Sequence, residues 1–246
     1  MARLRADLLV QQRGLAESRT KAQALILAGE VVAGDHRIEK PGQLLDDSVE
    51  LRLKTDASAL RYVSRGGLKL EHALDTFALS PKDQVCCDLG ASTGGFTDLL
   101  LQRGATRVHA VDVGYGQLHE KLRQDPRVVV HERINARTLT PELLGERCSV
   151  AVADLSFISL RLVLPALVSI LAPPAFCVVL VKPQFEAGRE EVGKGGVVRD
   201  PVVHARTVAN VRRQLGSLGL SVEGEAPSPL LGPAGNREFL VAARLC

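Results

Sequence analysis

Asp88 closes an apolar run, Val85-Cys86-Cys87-Asp88, and is followed by Leu89-Gly90-Ala91-Ser92-Thr93-Gly94-Gly95-Phe96-Thr97, a small-residue turn rich in glycine. Glycines at such a turn let a ligand come close to the backbone, and the helix start behind them offers unpaired N–H groups. Asp112 closes the next apolar run, Val108-His109-Ala110-Val111. A carboxylate at the tip of the second strand of such a unit typically takes the hydroxyl pair of a ribose. The two features together suit a cofactor that contains a nucleoside. Further polar residues punctuate apolar stretches downstream: Ala153-Asp154-Leu155-Ser156-Phe157, Val181-Lys182-Pro183-Gln184-Phe185-Glu186, and Asn236-Arg237-Glu238-Phe239. A lysine that directly ends a run of Val and Leu is partly desolvated, so Lys182 can serve as a base or stabilise an alkoxide. Lys69 lies on a helical stretch before the Asp88 run.

These residues need a scaffold that gathers strand ends. From Gln84 onward the pattern predicts strands at 84–88, 107–112, 127–130, 149–153, 176–182, 219–225 and 237–243, and helices at 94–103, 116–123, 159–171 and 201–216. A further helix is expected over Leu68–Phe77. Alternation of short apolar strands with helices argues for a parallel sheet covered on both faces. The last two strands have no helix between them and are expected to pair antiparallel at one edge. In open α/β sheets the ligand site lies at the carboxyl ends of the strands, where the polar residues above fall. Leu162 to Val181 is free of charge and long enough to span a bilayer. Pro165, Pro173 and Pro174 interrupt it, which predicts a buried helix to about Leu171, a turn, and a buried strand Phe176–Val181 instead.

The spacing Gly90, Gly94, Gly95 is not the Gly-x-Gly-x-x-Gly of a dinucleotide fold, and no Gly-Lys-Ser/Thr follows it. An acid two residues before the first glycine, with an acid on the second strand, resembles the S-adenosylmethionine site of Rossmann-like methyltransferases, whose sheet has seven strands. The resemblance makes Asp88, Gly90, Ala91, Ser92, Thr93, Gly94, Gly95, Phe96, Asp112, Val113, Asn135 and Asp154 the cofactor-binding candidates. The chain has 246 residues, a formal charge of +3 and only 3% aromatic residues, which allow a sizeable core and say little about partners. Cys86, Cys87, Cys148, Cys177 and Cys246 lack paired Cys-x-x-Cys spacing, so reduced thiols of a cytoplasmic protein are expected and no metal site. No basic-then-apolar signal pattern opens the chain.

Residues 1–60 read as a separate small α+β unit, with a linker at about 55–63 and the catalytic domain over 64–246. Arg3–Val10 has helical spacing. Ser18 is a candidate N-cap for a second helix that stops at Gly29. Val31–Asp35 reads as a strand plus a tight turn, and Val49–Leu53 as a half-exposed strand. The quoted stretches Arg5-Ala6-Asp7-Leu8, Gly14 to Ala22 and Ile26 to Val31 resemble the S-four RNA-binding domain, which grips structured RNA through a basic helical face. That resemblance implies RNA contacts by Arg3, Arg5, Arg19 and Lys21. Arg61 and Arg65, with no acid nearby in sequence, extend the set. Tyr62 is expected to pack rather than stack on a base.

Asp154-Leu155-Ser156-Phe157 is not the Asn/Asp-Pro-Pro-aromatic of amine methylation on adenine, and no cysteine follows the fourth or fifth strand as carbon-five pyrimidine methylation needs. Lys69, Asp154, Lys182 and Glu238 match the Lys-Asp-Lys-Glu tetrad of FtsJ-like ribose 2'-O-methyltransferases. The match implies that Lys182 contacts the 2'-hydroxyl, that Asp154 and Lys69 orient it and the ribose, and that Glu238 fixes Lys69 or the hydroxyl. With Tyr62 to Leu70, Asp88 to Thr97, Ala153 to Ser159, Lys182 to Glu186 and Gly193 to Asp200, the chain as a whole resembles the TlyA family, once described as haemolysins. Its members join an S-four domain to an FtsJ-like domain and methylate cytidine in ribosomal RNA. Members acting on both subunits tend to have longer ends, so methylation of the large subunit alone is the leaning here, with the small subunit as an extension. Some members carry Arg-x-Trp-Val in the linker; here that register reads Leu60-Arg61-Tyr62-Val63, a departure from the pattern on which any linker role of that Arg and Trp rests. Gly188 to Asp200 is expected to be a mobile loop beside the site. A cytoplasmic protein that acts on a ribosomal subunit, without membrane or metal, as a monomer or weak dimer, is the resulting expectation. A pore-forming haemolysin and a non-catalytic ribosome assembly factor are the competing readings.

Overall fold

Val85, Cys86 and Cys87 form, with Asp88 and Leu89, strand β6 (Val85–Leu89), an inner strand of a seven-stranded sheet. The structure is a computed structural model that describes residues 3–33, 36–49, 51–53, 61–232 and 235–246. It divides into two units, Met1–Arg61 and Tyr62–Cys246.

In the first unit, β1 (Arg3–Arg5) pairs antiparallel with β4 (Leu44–Asp46). Strand β2 (Val31–Ala33) pairs with β3 (His36–Arg37) and β5 (Leu51–Leu53). Helices α1 (Ala6–Gln12) and α2 (Arg19–Leu27) supply Ala6, Leu9, Val10, Ala22 and Ile26 to a core shared with Val31 and Ile38. The expected helix over Arg3–Val10 is therefore shorter than its periodicity. Its first three residues are drawn into the ladder with Leu44–Asp46, and the helix starts only where Ala6 and Asp7 turn inward. The Ser18 side chain accepts from Lys21 N, and Gly29 with φ of 74° ends α2 as its type allows. The linker residues 54–60 and the turn at Gly34-Asp35 lie outside the described residues.

The second unit starts with α3 (Gly66–Thr76), whose lead-in is anchored where Val63 N donates to the buried Asp98 carboxylate at 2.8 Å. Its other elements are α4 (Gly95–Gln102), β7 (Arg107–Asp112), α5 (Glu120–Arg123), β8 (Val128–Glu132), α6 (Pro141–Leu144), β9 (Cys148–Ala153), α7 (Leu164–Ser169), β10 (Leu171–Val181), α8 (Pro183–Glu186), α9 (Pro201–Ser217), β11 (Ser221–Pro227) and β12 (Phe239–Leu245). The strand order is β11-β12-β10-β9-β6-β7-β8, with β12 antiparallel to both neighbours and the other pairs parallel. One face packs on α7 and α9 through Leu164, Leu167, Val208, Val211 and Leu215, and the other on α3 and α4 through Leu70, Leu74, Leu99 and Leu100. Cys86, Cys87, Cys148 and Cys177 are buried free thiols within these layers, while Cys246 is exposed.

Two expected helices are corrected. Only Glu120–Arg123 of 116–123 is helical, because Gly116, with φ of 67°, turns the chain so that its N–H reaches Glu132 at 2.8 Å. The expected helix 159–171 breaks into a 3₁₀ turn at Leu160–Leu162 and α7, which stops at Ser169. The Pro173-Pro174 pair is not a turn. It lies in β10, which begins at Leu171 opposite Cys148 and shifts register before Phe176, since proline fits an extended strand that need not donate there. Among the described residues no helix is long and apolar enough to cross a membrane. Tyr62 packs in the apolar layer with Leu70 and Phe96, and its hydroxyl donates to Glu71 at 2.8 Å.

Candidate active site

Strands β6 and β9 are neighbours, but the chain leaves β6 toward β7 and leaves β9 toward β10. Ligand sites of open sheets open at such a reversal, outside the carboxyl ends. Asp154 N donates to Leu89 O at 3.1 Å, so the start of the Asp154 loop lies against the glycine turn. A Cβ on Gly90 would stand 2.6 Å from the Asp154 carbonyl oxygen. Gly90, Ser92 and Gly94 have φ values of 84°, 48° and 96°, which bend the turn tightly enough to start α4 directly behind it.

The cofactor candidates divide by depth. Asp112 accepts from Ser92 N at 2.8 Å through Oδ2 and from Gly114 N at 2.7 Å through Oδ1. Each oxygen keeps a second lone pair, so the carboxylate is oriented while still able to take ribose hydroxyls. Ala91, Ser92 and Asp112 line a pocket with Gly114, Gln117, Leu118, Val130 and Glu132. Ser92, Thr93 and Val113 are exposed, whereas Gly94, Gly95 and Phe96 are buried at the foot of α4. Asn135 follows Ile134, whose N donates to Asp112 O at 3.1 Å, and its own Oδ1 caps a 3₁₀ turn, accepting from Arg137 N at 3.1 Å and Arg137 Nε at 3.2 Å. Asp88 is fully buried; Thr97 Oγ1 donates to its Oδ2 at 2.7 Å, and its Oδ1 has no partner. Burial pushes the Asp88 carboxyl up to about 7, against the Thr97 hydrogen bond and with the help of the Asp154 and Asp112 charges. An unpartnered buried acceptor beside an oriented carboxylate and a glycine turn fits a ligand that brings hydroxyls and a cationic group.

On the acceptor side the four candidates meet in one chain of charges. Lys182 Nζ lies 2.6 Å from Asp154 Oδ1, Lys69 Nζ lies 3.8 Å from Asp154 Oδ2, and Lys69 Nζ donates to Glu238 Oε2 at 2.6 Å. Lys182 also donates to Ser156 Oγ at 2.8 Å. Glu238 and Lys182 are buried, Asp154 and Lys69 half-buried, so the pairs are shielded from water and stronger than surface pairs. Glu238 Oε1 has no partner. Phe157, 92% exposed with φ of 64°, follows Ser156 and meets Phe185 at 5.3 Å between ring centroids.

Several residues of the edge have no role assigned from the sequence. Glu132 and Gln117 line the pocket because β8 runs two residues past the expected end at 130 and the 116–119 segment is a turn rather than a helix. Glu186 accepts from Ser159 Oγ at 2.6 Å and Leu160 N at 2.7 Å, joining the loops after β9 and β10; spacing alone gave no signal for it. Asn236 is buried, accepting from Val198 N at 3.0 Å and donating to Gly196 O at 2.9 Å. The segment expected to be mobile, Gly188–Asp200, is thereby braced: it also carries a 3₁₀ turn at Arg189–Glu191 and a bridge from Gly193 to Val197.

The basic candidates of the first unit are organised by an acid. Asp7 is fully buried and receives Arg5 Nε at 3.0 Å, Arg19 Nε at 3.0 Å and Gln23 Nε2 at 2.8 Å. The Arg5 guanidinium, with Gln23 and Arg19, holds the Asp7 carboxyl well below the usual carboxylate range against its burial. Arg5 and Arg19 are thus brought together, each still roughly half exposed, while Arg3 and Lys21 are exposed on β1 and α2. Arg61 is exposed at the end of the first unit and Arg65 near the start of the second.

The FtsJ-like methyltransferase profile matches residues 62–245. A Mycobacterium tuberculosis protein named 16S/23S rRNA (cytidine-2'-O)-methyltransferase TlyA is 52% identical over 98% of this chain and 90% of its own length. A Campylobacter jejuni protein named 23S rRNA (cytidine-2'-O)-methyltransferase TlyA is 31% identical, covering 96% of this chain and 97% of its own. A solved structure from Streptococcus thermophilus, provisionally named a hemolysin, is 48% identical with a TM-score of 0.77, covering 100% of this chain and 89% of that one.

Proposed function

The chain belongs to the FtsJ-like methyltransferase family, and from that premise we propose that it methylates the 2'-hydroxyl of a cytidine ribose in ribosomal RNA, with S-adenosylmethionine as donor. Large-subunit RNA is the shared substrate in the names of both compared relatives and is the first substrate proposed here; small-subunit RNA is the second. The observation that carries the reading is the unbroken line Lys182–Asp154–Lys69–Glu238 at the edge where the glycine turn meets the Asp154 loop.

When bound, S-adenosylmethionine supplies a methyl group on a positively charged sulfur. Asp112, with the pocket of Gln117, Leu118 and Glu132, is assigned to its nucleoside, and Asp88 with the Gly90–Gly95 turn to the rest of the molecule. A ribose hydroxyl is a weak acid, so the protein's task is to align it and to accommodate its proton. The Lys182 ammonium donates one of its three N–H bonds to Ser156 and is held in an ion pair by the Asp154 carboxylate. A remaining N–H is assigned to the 2'-oxygen. As the new carbon–oxygen bond forms and the carbon–sulfur bond breaks, the hydroxyl proton would leave to water, while the Lys182 ammonium would steady the negative charge developing on the 2'-oxygen. Asp154 keeps Lys182 oriented, and Glu238 holds Lys69 against Asp154 from the other side.

We assign residues 1–60 the role of an S-four-type RNA-binding domain, supported by the Arg5 and Arg19 guanidiniums steadied on Asp7. A protein that works on ribosomal subunits is placed in the cytoplasm. The test is transfer of labelled methyl from S-adenosylmethionine to separated subunits. Wild type is expected to label 23S RNA, and Lys182→Ala to lose about 10²–10⁴ in turnover while still binding the cofactor. Binding of RNA with no transfer by wild type would leave a non-catalytic RNA-binding protein, and leakage from liposomes would favour a pore-former.

A further inference from the structure

Lys182 and Glu186 stand at the two ends of α8, a single turn opened by Pro183. Both reach across to the loop that leaves β9. Lys182 Nζ meets Ser156 Oγ at 2.8 Å, and the Glu186 carboxylate meets Ser159 Oγ at 2.6 Å and Leu160 N at 2.7 Å. The loop's apolar side chains hold it too: Leu155 and Ile158 pack on the sheet core, and Phe157 meets Phe185. Ser156 and Phe157 are exposed, and Phe157 sits at φ of 64°, a conformation a non-glycine side chain adopts only when its surroundings impose it. Ser159 in turn caps the 3₁₀ turn that follows, accepting from Arg161 N at 3.2 Å. Glu186 therefore fastens the far end of a loop whose near end carries Asp154 and Ser156. Burial pushes its carboxyl above the usual value despite both hydrogen bonds, so the group is held in a setting that does not favour its charge.

We propose that Glu186 is a positioning residue for methyl transfer: by tying Ser159 and Leu160 to α8 it holds Ser156 and Asp154 on the Lys182 ammonium. Glu186 does not touch the reacting atoms; it acts through the loop. The proposal rests on the reaction assigned above. A slack loop lets Ser156 and Asp154 drift from Lys182, which misaligns the attacking oxygen without emptying either binding site, so the loss falls on kcat.

The test uses the full chain and separated ribosomal subunits, with kcat, the KM for S-adenosylmethionine and subunit binding measured for each variant. Glu186→Ala is expected to lower kcat about 10- to 100-fold, with both affinities within about twofold of wild type. Glu186→Gln is expected to recover to within about threefold, because its amide oxygen can still accept from Leu160 N while its N–H can donate to Ser159 Oγ. Ser156→Ala lowers kcat by the same route, so the double variant Ser156→Ala/Glu186→Ala should be no slower than the slower single variant. A kcat for Glu186→Ala within about twofold of wild type overturns the proposal, as does a loss confined to KM, or losses that multiply in the double variant. Should Glu186→Ala fail to fold, Ser159→Ala with an intact circular-dichroism spectrum decides: a reduced kcat supports the tether and an unchanged kcat removes it. Inactive wild type would refute the assigned reaction, whereas active wild type beside an equally active Glu186→Ala refutes only the tether.

Discussion

Protonation of Asp88 links the cofactor turn to pH. Burial keeps its proton on up to about pH 7, whereas an ordinary carboxyl near 3.8 describes the unfolded chain. Between those values the native state holds more protons, so stability falls as pH rises across the window. At pH 8 the buried carboxylate opposes folding of the cofactor-free protein by at most about 4 kcal/mol. Asp88→Asn is expected to raise the Tm at pH 8 by several degrees and to weaken cofactor binding, with the Tm gain fading by pH 5; equal gains at both pH values would contradict the burial argument. The candidate site was legible at this scale where a side chain ends a strand. Asp88, Asp112, Asp154 and Lys182 each close an apolar run, and the run itself announces them. Glu186 and Asn236 act through loop-to-loop hydrogen bonds, which depend on how strands are ordered in space, and spacing carries no trace of that.

Glycines of similar backbone angle separate by what surrounds them. Gly90 and Gly195 have φ of 84° and 81°, but a Cβ at Gly90 would strike the Asp154 carbonyl at 2.6 Å, while at Gly195 it would meet open space. Gly195→Ala is expected to cost about 1 kcal/mol from backbone strain alone, and Gly90→Ala about 2–4 kcal/mol by adding an overlap that neither backbone can relieve. Denaturant midpoints would check the order. The buried Asn236 amide holds both Val198 N and Gly196 O, so Asn236→Ala is expected to open Gly193–Asp200 to limited proteolysis severalfold faster while leaving the Tm within a few degrees. An unchanged cleavage rate would mean that the Gly193–Val197 bridge suffices. The parallel strands were readable because burial on both faces makes each a continuous apolar run. The elements misjudged were short or half-committed. Gly116 spoils the first turn of the expected helix 116–123, and the Pro173-Pro174 pair, an expected turn, is extended because Leu171 is already paired with Cys148. Periodicity registers which residues are apolar; it does not register which neighbour completes the ladder.

At the scale of the molecule, each unit has its own apolar core, centred on Ala6, Val10 and Ile26 in one and on the two faces of the sheet in the other. Residues 62–246 alone are expected to fold and bind S-adenosylmethionine within about threefold of the full chain, and to lose most methylation of subunits at physiological salt, since phosphate contacts supply much of RNA affinity. Calorimetric binding and filter-binding assays on the truncated chain would test both halves; retention of full activity would remove the RNA-binding role of the first unit. The tetrad, Asp88, Asp112, Glu186 and Asn236 all belong to Tyr62–Cys246. On the roles proposed above, chemistry and address fall on separate pieces of chain. If the first unit supplies the address, joining another RNA-recognising module upstream of Tyr62 is expected to redirect the methyl group to a different ribose without redesigning a single reacting side chain, which would make this fold a cartridge for programmable marking of RNA.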